Sequence, residues 1–256
     1  STARFDQNFN SQPNYVAKIG QPMGMIYGYI YEGTYKYDDF DKSGSSYTLK
    51  GNIPHYVSES NTQPGMPKYK DLNGDGIIDT NDRTMIGRGL PIHTGGFTNN
   101  FEYKGFDLSV FFQWSYGNDV LNANRLFFDS GFQKKRELNQ YASYTDRWTP
   151  ENPNSNIPAA TNSSSNLVIS SRVVEDASFL RLKTVTLGYT VPKTFLKKYK
   201  IDNARLYVAA QNLWTITGYS GYDPEVSIRS GGLTPGLDFS SYPRALSVSF
   251  GINLGF

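Results

Sequence analysis

The sequence predicts an all-β chain built of antiparallel strands, and three observations lead to that prediction. The last residues, 246–256, alternate between apolar and small or polar side chains, which is the period of a strand with two unlike faces. Residues 96–116 form two alternating runs around a Lys-Gly pair, which is typical of a tight β-hairpin. Long and short connections alternate between the predicted strands, as they do in membrane barrels.

The last strand by itself fits two kinds of protein. Its eleven residues suit a strand that crosses a bilayer in a barrel, with its apolar side toward lipid. The edge strand of a soluble sandwich alternates in the same way, so this strand leaves both folds open. Its apolar residues are Leu246, Val248, Phe250, Ile252, Leu254 and Phe256.

Composition narrows the function classes more than the fold. The chain has 256 residues, 15% of them aromatic, with 19 Tyr and 16 Phe. That many aromatics fit either the girdles of a barrel or a soluble core. A net charge of +2 gives no electrostatic reason to expect a nucleic-acid partner. The chain has no cysteine, so disulfides, thiolate metal sites and a cysteine nucleophile are excluded within it.

The start of the chain and its hydropathy bear on membrane insertion. The chain begins at Ser1 without a basic and apolar leader, so we expect a mature product or a piece of a longer protein. No apolar run approaches the roughly 18 residues of a membrane helix. If the chain lies in a membrane, a closed β-barrel is therefore the expected structure, because lipid does not tolerate open sheet edges.

The other elements follow in chain order. Residues 23–33 are rich in β-formers and predict a strand that ends in a turn at Glu32-Gly33. Residues 34–70 predict a long loop with short local strands. In the predicted strand 177–189, the apolar residues change parity after Leu182, which indicates a bulge or a strand that is apolar on both faces. Further predictions are short helices within 120–132 and 134–148, a connector at 192–203 with one helical turn, and a strand at 205–215.

Residues 71–82 follow the template of a calcium-binding loop, with oxygen ligands at positions 1, 3, 5, 7, 9 and 12 and glycine at position 6. The last position is Asp rather than Glu, so its reach is shorter. Proline and glycine flank the loop where a calcium sensor has helices, so the prediction is a structural Ca²⁺ site. A solvated turn is the alternative. The predicted ligands are Asp71, Asn73, Asp75, Ile77 through its backbone carbonyl and with its side chain packed inward, Asp79 and Asp82.

The alternation of connections gives the strands a direction. The connections at 104–105 and 192–203 are short, whereas those at about 33–94, 117–175 and 216–242 are long. In outer-membrane barrels the short turns lie on the periplasmic side and the long loops outside the cell. We therefore expect the three long loops, including the calcium loop, to face the cell exterior.

Several stretches resemble one family. Residues 179–192, FLRLKTVTLGYTVP, resemble a signature near the C-terminus of the SusC/RagA family of TonB-dependent outer-membrane importers of Bacteroidota. The matches begin near residue 22 and keep the order of the family to the end of the chain. The other resembling stretches are 68–76 with Asp82-Arg83, 116–119, 210–213, 218–225 and 242–244.

The resemblance implies that this chain is the C-terminal segment of a large antiparallel transmembrane β-barrel of about 22 strands. The plug domain and the N-terminal barrel strands of such an importer lie outside it. The implied location is the outer membrane, as a multi-pass barrel in contact with lipid. The implied partners are the rest of the importer, a SusD-like surface lipoprotein that acts as a lid, and TonB through the absent N-terminal part. The implied cargo is oligosaccharides or peptides.

The leading functional prediction is therefore part of a nutrient importer that works by binding and gated passage. Trp114, Tyr116, Tyr219 and Tyr222 are weak candidates for stacking on substrate, with girdle or packing roles as the alternative. A secreted, calcium-stabilised β-domain that binds carbohydrate is the second prediction. We expect no enzyme, because His55 and His93 lack metal-ligand spacing and no catalytic carboxylate pair stands out.

Overall fold

A computed structural model describes residues 2–6, 13–131, 139–161, 166–228 and 231–256. It confirms an all-β chain, with sixteen strands and two short α-helices in the described ranges. The strands are β1 Thr2–Asp6, β2 Pro13–Lys18, β3 Met25–Gly28, β4 Tyr31–Thr34, β5 Phe40–Ser43, β6 Ser46–Leu49, β7 Pro67–Tyr69, β8 Thr84–Arg88, β9 His93–Tyr103, β10 Phe106–Tyr116, β11 Asp119–Asn122, β12 Val174–Asp176, β13 Phe179–Thr190, β14 Asn203–Thr217, β15 Leu237–Asp238 and β16 Ser247–Gly255.

The helices are few and short. The two α-helices are α1 Ala123–Phe128 and α2 Lys193–Leu196. Single turns of 3₁₀-helix lie at Tyr37–Asp39, Glu59–Asn61, Thr80–Asp82, Ala142–Asp146, Ser171–Val173 and Lys197–Tyr199. Across the described part of the chain, no helix has both the length and the apolar character that a membrane span needs.

The chain divides into two compact units. The strand unit comprises Pro91–Asn118, Asp176–Glu225 and Tyr242–Phe256. The loop unit comprises Ser1–Leu90, Asp119–Glu175 and Val226–Ser241.

The strand unit is built on one five-stranded antiparallel sheet in the order β16-β14-β13-β10-β9. The predicted hairpin is confirmed, because β9 and β10 pair in register from Tyr103 opposite Phe106 to His93 opposite Tyr116. Its two-residue turn has positive φ at both Lys104 (48°) and Gly105 (87°). Positive φ at both residues defines a type I′ turn, whose twist matches the right-handed twist of the flanking strands.

A bulge explains the change of parity in β13. Relative to β10, whose register shifts between Phe111 and Phe112, Lys183 is the extra residue of β13. On the other side, β14 has two residues opposite Lys183, and one of them, Asn212, has a φ of 53°. The bulge returns the apolar side chains before and after it to the same face of the sheet. The predicted bulge is therefore confirmed.

The sheet of the strand unit has one apolar and one polar face. Cα partners in register form an apolar row that crosses all five strands, and the residues of the row beside it are small or polar. The apolar row is Phe101, Leu108, Leu187, Val208 and Phe250, and the polar row is Asn100, Ser109, Thr186, Ala209 and Ser249. We call these two sides the apolar face and the polar face.

The apolar face is exposed rather than packed on a core. Phe250 is 83% exposed and Phe101 59%. The same face carries further exposed side chains on every strand: Phe97, Tyr103, Phe106, Leu187, Leu206, Trp214, Ile216, Val248, Ile252 and Leu254. A water-soluble protein rarely leaves an apolar surface of this extent uncovered.

The loop unit contains a four-stranded sheet β1-β2-β3-β8, a three-stranded sheet β12-β11-β15 and the strand pairs β4-β7 and β5-β6. Its main hydrophobic cluster draws residues from three distant parts of the chain. Tyr15 and Ile26 come from the first part, Leu121 and Ile169 from the second, and Leu237 from the third, and each is at most 1% exposed. The long connections therefore build a core of their own.

Two local predictions need correction. The single strand predicted at 23–33 is two strands, β3 and β4, which belong to different sheets. Between them the backbone amide of Tyr29 donates to the carbonyl of Ile169 (3.1 Å), and Gly28 leaves no room for a Cβ against that carbonyl. Within 120–132 the helix is only α1, since β11 precedes it. The other helix, predicted within 134–148, falls partly outside the described residues.

Other local predictions hold. The short strands β5, β6 and β7 lie in the predicted loop at 34–70. The helical turn in the connector at 192–203 consists of α2 followed by the 3₁₀ turn Lys197–Tyr199.

Candidate functional site

The acidic loop at residues 71–82 is organised by hydrogen bonds from its own backbone. The carboxylate of Asp71 accepts the amides of Gly74 (2.6 Å) and Gly76 (2.8 Å). Asp75 accepts the amide of Ile77 at 2.8 Å. The backbone turns sharply here with positive φ at Gly74 (78°) and Gly76 (84°), a conformation that glycine adopts without steric cost.

Asp82 closes the loop from inside the loop unit. It is fully buried. Its Oδ1 accepts the amide of Leu72 (2.8 Å), and its Oδ2 accepts the amide of Asp79 (2.8 Å). Asp79 in turn accepts the amide of Asn81 at 2.7 Å, which caps the 3₁₀ turn Thr80–Asp82. The two ends of the loop are therefore held together through one buried carboxylate.

Ile78, not Ile77, anchors the loop to its neighbours. The expectation that Ile77 packs inward is wrong, because its side chain is 53% exposed whereas that of Ile78 is 2% exposed. The backbone explains the exchange. The amide of Ile78 donates to the carbonyl of His55 (2.9 Å), and in such an extended bridge successive side chains face opposite ways.

The side chain of Ile78 enters a tyrosine cluster. It packs with Tyr29, Tyr69 and Val168, and the ring centroids of Tyr29 and Tyr69 lie 5.4 Å apart. Tyr56 adds edge contacts to both tyrosines. This anchor was not predicted, although Tyr69 precedes the loop by only two residues.

The donor set of the loop fits a hard cation in its chemistry. Asp71, Asn73, Asp75 and Asp79 bring oxygen atoms that keep free lone pairs beside the amides they accept. The Gly76 amide lowers the pKa of Asp71, slight burial opposes this, and further loop amides add to the lowering. In the described ranges no three His, Cys, Asp or Glu side chains converge as metal ligands. Calcium therefore stays a prediction, together with the six-ligand set.

The four aromatic candidates lie in different surroundings. Trp114 and Tyr116 belong to the apolar face, where Trp114 donates through Nε1 to Nδ1 of His93 (3.1 Å) and the His93 ring stacks on Tyr116 at 5.1 Å. Tyr219 is buried, whereas Tyr222 is 83% exposed. A role in substrate binding stays a prediction for all four.

Sequence reasoning missed a buried ion-pair network on the polar face. Arg181 of β13 is 4% exposed in its side chain and pairs with Asp223 (2.7 Å) and Glu225 (2.5 Å). Lys183 and Arg244 also reach Glu225, at 3.2 and 3.3 Å. The network fastens residues 223–225 to the sheet. No spacing pattern announces it, since more than forty residues separate Arg181 from its partners.

Asp223 is the most buried acid of that network. Burial by itself raises the pKa of Asp223, but the hydrogen bonds from Arg181 and from the amides of Glu225 and Arg244 outweigh it and hold the pKa below its ordinary value. Asp223 is therefore charged at neutral pH, as its pairing with Arg181 requires.

Comparison with known proteins finds TonB-dependent receptors and a peptide transporter among the relatives of this chain. No family model matches the chain. TonB-dependent receptor P3 of Formosa agariphila is 35% identical over 254 residues, which is 97% of this chain and 24% of that protein. TonB-dependent receptor SusC of Bacteroides thetaiotaomicron is 28% identical over 201 residues, 78% of this chain and 18% of that protein.

Among solved structures, a chain of the RagAB peptide transporter is similar over all of this chain and 25% of its own length. The TM-score is 0.70 and the identity 25%. The names of these relatives denote receptors and a transporter rather than enzymes. The chain spans about a quarter of the length of TonB-dependent receptor P3 and of the RagAB chain.

Proposed function

We propose that this chain, a homologue of the SusC/RagA-type TonB-dependent receptors, forms part of an outer-membrane nutrient importer. In this proposal the strand unit supplies part of the barrel wall, and the loop unit is formed by the extracellular loops. The single observation that carries the proposal is the exposed apolar face, which runs across all five strands with a polar face behind it. Such a face suits lipid on one side and an aqueous lumen on the other.

The lengths of the connections indicate which end of the sheet faces the periplasm. The turn at Lys104-Gly105 and the connector before β14 are the short connections of the sheet. We assign this end to the periplasm and the long connections to the cell exterior, because outer-membrane barrels have short inner turns and long outer loops. In this proposal the chain supplies strands from the C-terminal part of the barrel. The plug and the remaining strands come from other parts of the same protein.

We infer the partners and the cargo from the relatives. The RagAB structure is named as a peptide transporter, and SusC is named as a TonB-dependent receptor. The proposed importer takes up oligosaccharides or peptides, works with a SusD-like surface lipoprotein and draws energy through TonB. Its chemistry is binding and gated passage, with no covalent step.

We also propose that the acidic loop binds calcium as a structural ion. The ligands would be Asp71, Asn73, Asp75, the carbonyl of Ile77, Asp79 and Asp82, a set of hard oxygen donors. Bound calcium would neutralise the acidic side chains and hold the loop on the tyrosine cluster through Ile78. Two observations support this proposal: the glycines that permit the turn, and the lowered pKa of Asp71.

A secreted, calcium-stabilised carbohydrate-binding domain is the competing proposal. It would leave the apolar face in water, including Phe250 at 83% and Ile252 at 65% exposure. The homology to TonB-dependent receptors over 97% of the chain also favours the importer.

Fractionation of the native protein tests the importer proposal. We expect the full-length protein to sediment with outer membranes and to need detergent for extraction. Cells that lack it should lose TonB-dependent uptake of one class of labelled cargo, oligosaccharide or peptide, and a plasmid copy should restore it. Recovery of the native protein as a folded, detergent-free soluble species would contradict the proposal.

A further inference from the structure

The two short connections of the strand unit form one rim of its sheet. The hairpin turn Lys104-Gly105 lies beside the end of β13, where the amide of Thr190 donates to the Gly105 carbonyl at 2.7 Å. The connector that follows β13 lies beside the end of β16, where the amide of Asp202 donates to the Gly255 carbonyl at 2.8 Å. We call residues 103–106, 192–202 and 255–256 the short-turn rim.

Lysines crowd the short-turn rim without acidic partners. Among the ion pairs of the described residues none involves its five lysines, all of which are exposed. The acids near them are the exposed Asp202 and Glu102, and Asp107, which is paired with Arg205. The five lysines are Lys104, Lys193, Lys197, Lys198 and Lys200.

Exposed aromatic side chains stand among these lysines. Phe195 is 70% exposed and Tyr199 is 68% exposed. Phe195 lies in α2, and Tyr199 lies in the 3₁₀ turn that follows it. The intervening Leu196 is 7% exposed and fixes the connector to the sheet. The aromatic surface is therefore presented outward by a buried anchor.

The rim also continues the apolar face. Tyr103 (69% exposed), Phe106 (51%) and Phe256 (84%) lie at the ends of strands whose outer side chains are apolar. Basic heads next to exposed rings match the boundary of a bilayer, where long lysine stems lie along acyl chains and the ammonium groups reach the phosphates.

We propose that the short-turn rim is a binding surface for the headgroups of anionic phospholipids in the leaflet at that end of the barrel. The proposal rests on the outer-membrane placement given above. The lysines supply the charge that distinguishes an anionic from a zwitterionic headgroup. Phe195 and Tyr199 supply the interfacial anchor, which is indifferent to headgroup charge.

The full-length importer, purified in detergent with a mixture of phosphatidylglycerol and phosphatidylethanolamine, provides the test. Native mass spectrometry counts the lipids retained on the wild type and on the triple variant Lys193→Gln, Lys197→Gln, Lys198→Gln. The matched control is Lys18→Gln, Lys42→Gln, Lys70→Gln, which removes the same charge from three exposed lysines of the loop unit.

In the rim variant, the ratio of bound phosphatidylglycerol to bound phosphatidylethanolamine should fall by about tenfold or more. The reason is that each lysine near an anionic surface raises the affinity about fivefold. The control should keep the preference. On the wild type, about 1 M salt should abolish the preference by screening, a result that needs no variant. In a separate variant, Phe195→Ala with Tyr199→Ala should lower the retention of both lipids.

Equal preference in the rim variant and the wild type would overturn the inference. Loss of the preference in the control as well would also overturn it, because net charge and not the rim would then decide. Co-purification of an acidic periplasmic protein in place of lipid would also overturn the inference, because the rim would then bind a protein and not the membrane. Wild type that fractionates with outer membranes but shows no preference refutes this inference alone, whereas wild type outside the membrane refutes the proposed function.

Discussion

Asp107 and Arg205 form an ion pair that spans a whole strand of the sheet. Asp107 lies on β10 and Arg205 on β14, and β13 runs between them. The two side chains meet over Gly188, where a Cβ would collide with both Asp107 Oδ1 and Arg205 Nη2. The pair belongs to the polar face, so it places two complementary charges on the side that we assign to the barrel lumen.

Gly188→Ala should therefore destabilise the strand unit. The new methyl group pushes apart the tips of two flexible, partly exposed side chains, so the expected cost is that of a surface ion pair, about 0.2–1 kcal/mol. Thermal unfolding of the detergent-solubilised importer would measure it. Gly218→Ala is the control, because nothing lies within 4 Å of a Cβ there. Equal melting of the two variants would show that the close approach does not matter.

Ile78→Ala should loosen the acidic loop, whereas Ile77→Ala should not. Removal of the buried Ile78 side chain leaves a cavity in the tyrosine cluster, at a cost of about 2–5 kcal/mol. The exposed Ile77 should change stability by less than about 0.5 kcal/mol. Hydrogen exchange of residues 71–82 is the measurement. Faster exchange in Ile77→Ala than in Ile78→Ala would contradict the packing described above.

Calcium binding should disappear in the double variant Asp71→Ala, Asp75→Ala. Isothermal titration of the calcium-stripped importer should show one site per chain in the wild type and loss of that site in the variant. The pKa of Asp71 is lowered, so this carboxylate stays charged, and able to bind, down to acidic pH. Asp41→Ala, at an exposed position of β5, is the control. Unchanged titration in the double variant would remove the proposed site.

Asp223→Asn should free the segment that Arg181 holds. The neutral amide removes one of the two carboxylates that pair with Arg181, and the loss is about 1–3 kcal/mol. Because the folded pKa of Asp223 is depressed, its contribution in the wild type is present above the ordinary pKa near 4 and is lost as pH falls through the depressed value. Exchange of residues 219–225, corrected for intrinsic rates, should show both effects.

Asp202→Asn is the matched control for that experiment, because Asp202 is an exposed acid of the same unit. It should leave protection unchanged at every pH. Full protection of residues 219–225 in Asp223→Asn would mean that the network does not hold the segment.

The long strands were predictable because their own residues carry the pattern. In the last strand, alternation between Val248 and Ser249 marks two faces without help from any neighbour. In β13, the change of parity between Leu182 and Val185 even indicated the bulge. These signals are local, and pairing with adjacent strands only confirms them.

The loop unit was not predictable from such patterns. Tyr15, Leu121 and Leu237 share one core although more than a hundred residues separate each from the next, and no local periodicity encodes that meeting. The choice between Ile77 and Ile78 likewise depended on the carbonyl of His55, a partner over twenty residues away. Arg181 was visible in the sequence, but its acids became partners only through the fold.

In the proposed importer, the apolar face lies against lipid and the polar face against water. Single cysteines at Val248, Phe250 and Ile252, and at Ser247 and Ser249, can carry a fluorescent probe in a reconstituted importer freed of its other cysteines, and this chain contributes none of those. We predict quenching by acyl-chain quenchers at the first three positions and by water-soluble quenchers at the other two. Water-soluble quenching at Val248, Phe250 and Ile252 would contradict it.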